Sequence, residues 1–441
     1  MQQPKIQVGI SATPALTFRL DGDFRLDDDI VTGAFTAVCE DGIIALRGKG
    51  KYQNEFTFVP ATGDESFLLE NVTIGIGFHW EQQERQRFTG ALKLVPEGDA
   101  VRAINIVEVE EYLRSVISSE MNSLSSVELL KAHAVISRSW LLAQIAGRGK
   151  KNTPELRTNE ELVKWYDRED HTLFDVCADD HCQRYQGVTK IISPQVGQAV
   201  DATFGQVLYE GDAICDARFS KCCGGISENF ELVWEPTPHP GLSAIRDWIE
   251  PTMPDAPIPD LRDETAARKW ILGRPPSFCN TASDDVLTQI LPSFDRATTD
   301  FFRWSEQYTQ YELAAIIAAK SGIEFGRIRR LEPLQRGHSG RISRLRIVGE
   351  HRTYIVGKEL EIRRWLSKTH LYSSAFTVEH DGESADGFPK HFILKGAGWG
   401  HGVGLCQIGA AVMAHQGYSY TEILAHYFKN TTLQQLYAQN G

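Results

Sequence analysis

The stretch that most limits what this chain can fold into is GAGWGHGVGLCQIGAAVMAHQG, residues 396–417. Glycine stands at every second position, 396, 398, 400, 402 and 404, and the run leads straight into an alanine-rich helix. Without Cβ atoms such a backbone offers a flat surface that a ligand or another chain segment can approach closely. No strand–glycine–helix unit with a downstream acid surrounds it, so it is not a dinucleotide fingerprint, and it lacks the Lys-Ser/Thr pair of a phosphate loop. Trp399 presents an aromatic face of the kind that stacks on sugar rings, with burial in a core as its ordinary alternative. His401 has the same two readings.

The rest of the chain supplies the frame for this loop. From residue 5 to about 106, short alternating runs such as KIQVGI, GAFTAV, GIIALRG, NEFTFVP and RAINIVEV are separated by Gly, Asp and Asn turns, which predicts an antiparallel β region. Helical periodicity then takes over in VEEYLRSVISSEM and SVELLKAHAVISRSWLLAQIA, the second opening on Ser125 with Glu128 at capping-box spacing. Residues 146–170 are charged and predict an exposed excursion, and QVGQAVDATFGQVLYEGDAICDARFS reads as strands. The proline-bearing stretch 250–295 predicts a linker or insertion, followed by a helix at TQYELAAIIAAKSG, strands at ISRLRIVGE and TYIVG, and a segment KELEIRRWL. The expected architecture is α+β and multi-domain. It comprises a β-rich region at 1–105, a helical-plus-sheet core at 106–250 and 385–441, and an inserted α+β subdomain at 251–384.

A net charge of -12 disfavours nucleic acid and anionic lipid as partners. No apolar run reaches the roughly 20 residues of a membrane span. The opening MQQPKIQVGI has neither the basic nor the apolar region of a secretory signal.

Three further segments could carry chemistry. Glu120, in VISSEMNSLSS, ends one helix just before another begins, a position from which a carboxylate can project into a cleft and be raised in pKa by apolar neighbours. A solvated surface Glu is its plain alternative. HTLFDVCADDHCQRYQG holds His171, Cys177, His181 and Cys182, two imidazoles and two thiols that suit tetrahedral Zn²⁺ but lack finger spacing. A Cys177–Cys182 disulfide is the competing reading. In FSKCCGGISENFELVW, Gly224 and Gly225 suit a turn lining a groove, while its cysteines read as small core residues. Arg138 reads first as a structural cation.

Taken in order, VEEYLRSVISSEM…ELLKAHAVISRSW, HCQRYQG, AVDATFGQVLYEGDAICDARFSKCCGG, SGRISRLRIVG and GWGHGVGLCQIGAAVMAHQGYSYTEILAHYF resemble the SpoIID/LytB family of bacterial cell-wall proteins, from about residue 105 to 435. The resemblance implies a peptidoglycan lytic transglycosylase that breaks the MurNAc–GlcNAc β-1,4 bond and leaves a 1,6-anhydro sugar, with Glu120 as the single acid and base. It implies a structural zinc on His171, Cys177, His181 and Cys182. Substrate contacts are then expected from Arg138, Tyr185, Gly224, Gly225, Trp399, His401 and Gln407. The implied partners are glycan strands and, in the alternative of a non-catalytic enhancer, a cell-wall amidase. A zinc hydrolase would require an open coordination position, which four protein ligands leave no room for. The implied location is the cell envelope, with the export signal outside the sequence as given. His133 and Trp140 depart from the Gln and Tyr usual in the family, and Asn122 and Ser125 from the Pro-x-x-Trp that more often follows its Glu-Met pair.

Overall fold

The alternating apolar residues of the first hundred positions build one large sheet, because period-two burial lets each strand place one face in a shared core. In the computed structural model, which describes residues 2–75, 81–122, 125–147, 154–165, 171–179, 181–191, 193–249, 257–290 and 300–439, this sheet has eleven strands. Lys5–Thr13 pairs antiparallel with Ala100–Glu108, which continues to Ala91–Glu97, and Ala15–Leu26 pairs with Asp29–Glu40. Phe18, Phe24, Phe56, Phe58, Phe67 and Phe88 are fully buried beneath it. The α+β expectation is met.

The chain divides into two compact units, each discontinuous in sequence: residues 1–138, 170–207 and 434–441, and residues 139–169 with 208–433. Of the four boundaries, 138/139 falls inside the helix Val127–Ala146, 207/208 inside the strand Gln206–Glu210 and 433/434 inside the strand Thr432–Gln435.

The first unit carries the large sheet and the helix Val109–Glu120, whose buried face is Val109, Tyr112, Leu113, Val116 and Ile117. A short strand, Val176–Cys177, adds to the sheet edge in parallel to Val8 and Gly9. The second unit contains a five-stranded sheet, in which Glu161–Lys164 lies parallel to Thr353–Gly357 beside Ile342–Gly349 and Ile328–Arg336. It also contains a three-stranded sheet with Pro389–Ala397 at its centre, and a parallel pair joining Phe219–Ser220 to Leu405–Cys406.

Several local expectations change. The charged segment 146–170 is not wholly an excursion, since Leu162 and Val163 are buried by the strand they form. QVGQAVDA is the helix Pro194–Ala202 and not a strand: Ser193 accepts from the Gln195 N–H, and Pro194 fills the first turn. The cap of the second long helix moves by one residue. Ser126 Oγ accepts from Leu129 N–H at 3.3 Å, and Ser125 donates to the Asn122 carbonyl. The described part of 250–295 is structured, with helices Glu264–Leu272 and Asp284–Ile290. Leu261, Ala267 and Ile271 pack there with Ile226 and Ala397.

Candidate active site and its supporting loops

Glu120 is the last residue of its helix and is half-buried. Its Oε1 accepts a hydrogen bond from the Arg184 backbone N–H at 3.0 Å. That bond is one of several contacts by which residues 183–186 lie along the helix, among them Tyr112 Oη donating to Gln183 Oε1 at 3.4 Å. Gln186 N–H donates to Ser115 Oγ at 3.2 Å, and the Tyr185 ring stacks on Tyr112 at 5.1 Å between centroids. The helix is also pinned at its other end. Arg138, fully buried, forms a two-pronged ion pair with Glu110 at 2.6 and 2.9 Å, and Glu110 further accepts from Tyr437 Oη at 2.6 Å and the Gly205 N–H at 3.1 Å.

Immediately before the 183–186 segment lies the His/Cys group. One nitrogen or sulfur from each of His171, Cys177, His181 and Cys182 lies within 4.8 Å of all the others. Cys182 Sγ is 3.5 Å from His171 Nε2 and 3.5 Å from His181 Nδ1, and Cys177 Sγ is 3.9 Å from His181 Nδ1. Tetrahedral zinc with bonds of about 2.0–2.3 Å places sulfur and nitrogen donors about 3.6 Å apart, so the four residues fit that ion. Both cysteines are free thiols in this structure. Contacts from Cys182 first, then from the two imidazoles, draw the Cys177 thiol well below its ordinary pKa. The edge strand fixes the segment: Asp175 accepts from Gln7 N–H, Ala178 N–H donates to the Gly9 carbonyl, and Phe174 packs against His171.

In the second unit the glycine ladder is not flat. Gly398, Gly400, Gly402 and Gly404 all have φ between +71° and +95°, a left-handed conformation at every second residue that only glycine adopts cheaply. The close approach expected of it comes from the chain itself. Cys222 and Trp399 exchange backbone hydrogen bonds at 2.8 and 3.0 Å, and Gly224 and Gly225, also left-handed, complete the turn opposite. Trp399 packs between Phe301 and Tyr372 at 4.8 and 4.4 Å. His401 Nε2 bonds the Phe219 carbonyl at 2.8 Å while Nδ1 accepts from the Val403 N–H at 3.0 Å. Burial, then Arg218 and Arg341 nearby, push its pKa well below the usual histidine value, and the bond pattern fits the neutral ring with its proton on Nε2. Gln407 is buried at the start of the helix Gln407–His415.

The expected substrate contacts thus separate. Arg138, Tyr185 and Gln407 are buried, and the Tyr185 hydroxyl is taken up by Asn105 at 2.6 Å, so Arg138 and Tyr185 hold the helix of Glu120 in place and do not face solvent. His401 has both ring nitrogens engaged, Nε2 by the Phe219 carbonyl and Nδ1 by Val403 N–H in its own loop. Trp399 keeps a partly exposed ring. Two residues were missed by sequence reasoning. Arg341, fully buried, donates to the Gly400 carbonyl twice, at 3.0 and 3.2 Å, and to the Cys223 carbonyl at 3.1 Å, which ties the glycine ladder to the Cys-Cys-Gly-Gly turn. Glu228, also buried, accepts from Ser339 Oγ at 2.6 Å and from the backbone of His338 and Asn229. Arg341 lies within the motif SGRISRLRIVG, but nothing in its residue type distinguished it from the surface arginines around it.

Two family models match parts of the chain. Residues 97–209 match the model of the Stage II sporulation protein family, and residues 228–404 match a domain of unknown function, DUF8618. An uncharacterised protein of Brachyspira hyodysenteriae is 25% identical over 426 residues, covering 92% of this chain and 93% of its own. The Stage II sporulation protein D of Bacillus amyloliquefaciens is 25% identical over 76% of each chain. The Amidase enhancer of Bacillus subtilis is 24% identical over 73% of this chain, which spans 40% of the enhancer's length.

Proposed function

We propose that this chain, which is similar to the SpoIID/LytB family of cell-wall proteins, cleaves peptidoglycan glycan strands as a lytic transglycosylase, acting in the cell envelope. The observation that carries the reading is the placement of Glu120: a half-exposed carboxylate at a helix end, oriented by the Arg184 N–H and braced by the Arg138–Glu110 pair.

A single carboxylate suffices for this reaction. Ordinary glycosidases use two, one as acid and one as base or nucleophile. When the C6 hydroxyl of the sugar itself attacks C1, no water has to be activated on the opposite face. Glu120 in its protonated form donates to the leaving O4; as carboxylate it then takes the proton of O6 while O6 closes on C1, and the 1,6-anhydro product leaves with the enzyme returned to its starting protonation. The Arg184 N–H holds one carboxylate oxygen, which leaves the other to carry the proton.

His171, Cys177, His181 and Cys182 would hold a zinc ion in this reading, and four protein donors leave it a structural role. Their part in the chemistry is indirect: they shape the turn that presents residues 183–186 to the helix.

The test is digestion of purified glycan strands with the products read by mass spectrometry. Wild-type protein should release anhydro-muropeptides and Glu120→Gln should release none while still binding sacculi. Intact glycan with wild-type protein, together with stimulation of an added cell-wall amidase, would replace the enzyme by a non-catalytic enhancer. That outcome has a precedent in the name of the Bacillus subtilis relative.

A further inference from the structure

A second cluster of metal-binding side chains lies wholly inside the second unit, where the proposed reaction makes no use of it. The thiols of Cys223, Cys279 and Cys406 and a carboxylate oxygen of Asp247 all lie within 4.8 Å of one another, and all four residues are buried. We propose that they form a structural zinc site, with three thiolates and one carboxylate as ligands, which locks the 257–290 segment to the glycine ladder.

Distances set the ion. Zinc–sulfur bonds of about 2.3 Å in a tetrahedron put neighbouring sulfurs about 3.8 Å apart. Cys223 Sγ and Cys279 Sγ are 3.7 Å apart, on that edge and far beyond a disulfide bond of about 2.05 Å. An iron–sulfur cluster inserts its own iron and sulfide atoms between the thiolates and needs a wider cage than this one.

Backbone amides face two of the sulfurs. Cys223 N–H donates to Cys406 Sγ at 3.2 Å and Gly225 N–H donates to Cys223 Sγ at 3.4 Å; the left-handed glycines after Cys223 turn the backbone so that its amides face the sulfurs. Asp247 is oriented from both sides, by Tyr427 Oη at 2.5 Å on one oxygen and by the Cys279 N–H at 2.8 Å on the other. Outer contacts of this kind orient metal ligands. Gly409 makes the space: a Cβ there would run into the Tyr427 hydroxyl and the Asp247 carboxylate.

Charge also favours a cation. Among the described residues no Lys, Arg or His pairs with Asp247, so no protein cation competes with a metal ion for this buried carboxylate. Three thiolates, one carboxylate and a divalent ion sum to two negative charges. Arg303 lies within electrostatic reach of Cys279, Cys222 and Cys223. Among the described residues its guanidinium donates to the backbone carbonyls of Gly273, Gly224, Phe302 and Trp270.

The ligands come from four separated parts of the chain: the Cys-Cys-Gly-Gly turn, the residue after Arg246, the proline-bearing insertion and the end of the glycine ladder. Such a site gives the insertion a function that its own few apolar residues do not.

The experiment is metal analysis of the full chain expressed with zinc. Two zinc ions per chain are expected in the wild type. Cys279→Ser should lower the count to one, and Cys182→Ser should do the same through the other cluster, so the two sites fail separately. Should Cys279→Ser not fold, cobalt(II) substitution of the Cys182→Ser chain gives an independent reading: thiolate-to-cobalt charge-transfer bands and tetrahedral ligand-field bands are expected from the remaining site. A folded Cys182→Ser chain that binds neither zinc nor cobalt overturns the inference. So does thiol titration showing Cys223 and Cys279 joined as a disulfide in the metal-free wild type.

Discussion

Replacing Arg138 by Met tests whether that residue braces the helix of Glu120 or meets substrate. In the wild type, both members of the Arg138–Glu110 pair are desolvated, at 0% and 3% side-chain exposure, and the two bonds measure 2.6 and 2.9 Å. Met fills most of the arginine's volume but leaves Glu110 as a buried carboxylate supported only by the Tyr437 hydroxyl and the Gly205 N–H. The Gln206 carbonyl, which accepts from Arg138 at 2.9 Å, also loses its donor. Breaking a buried pair from one side costs about 3–5 kcal/mol. Removing both charges, in Arg138→Met with Glu110→Leu, should recover most of that loss, because the stranded charge has gone. Urea denaturation gives the free energies, and hydrogen exchange of peptides from 109–120 shows whether the lost stability is local to the helix. Below the unfolding transition, glycan cleavage per folded molecule should fall mainly through kcat, as Glu120 is less well held, with KM near the wild-type value. A neutral Arg138→Met, a double variant no more stable than the single, or a loss confined to KM would refute the bracing role.

Three other outcomes are expected. Cys182→Ser should strip the His/Cys group of its ion and speed hydrogen exchange at Arg184 and Gln186, whose amides hold Glu120 and Ser115; unchanged exchange would detach the cluster from the candidate site. Gly404→Ala places a side chain at φ +71° and against the Arg218 carbonyl, so a loss of at least about 1–2 kcal/mol from the left-handed backbone alone should appear in denaturation, and a neutral variant would contradict the loop conformation. Because the pKa of His401 is lowered in the folded state, the unfolded chain binds a proton that the folded chain does not as pH drops below about 6.5. That group therefore removes stability on acidification, and in His401→Asn the acid slope between pH 7 and 5 should be shallower than in the wild type.

Where the sequence pattern was strong, it was sufficient. The period-two runs before residue 106 became the strands of one sheet. The helices at Gln310–Ser321 and Tyr420–Tyr427 have the Thr309/Glu312 and Ser419/Glu422 capping boxes at their starts. Where two readings of one residue were open, local pattern could not choose. Arg138 and Arg341 are arginines in polar company by sequence, and only long-range pairing, with Glu110 in one case and with the Gly400 and Cys223 carbonyls in the other, made them internal. QVGQAVDA carries β-branched residues that favour strands, but Ser193 and Pro194 start a helix whose Val196, Ala199 and Val200 face the core.

By itself, then, the sequence determined the α+β class, the order of the motifs, the resemblance to the SpoIID/LytB family and the inventory of donors between 171 and 182, because these depend on residue type and short-range spacing. The tertiary structure decided everything that depends on residues far apart meeting. It turned the glycine ladder from an open surface into a loop closed by Cys222 and Arg341, set the Arg184 amide on Glu120 across 64 positions, and gathered Cys223, Asp247, Cys279 and Cys406 into one buried cage. Residue spacing along a chain carries no signal for such meetings, since the cost of closing a loop rises only slowly with its length and the packing of whole elements determines which distant side chains share a cavity.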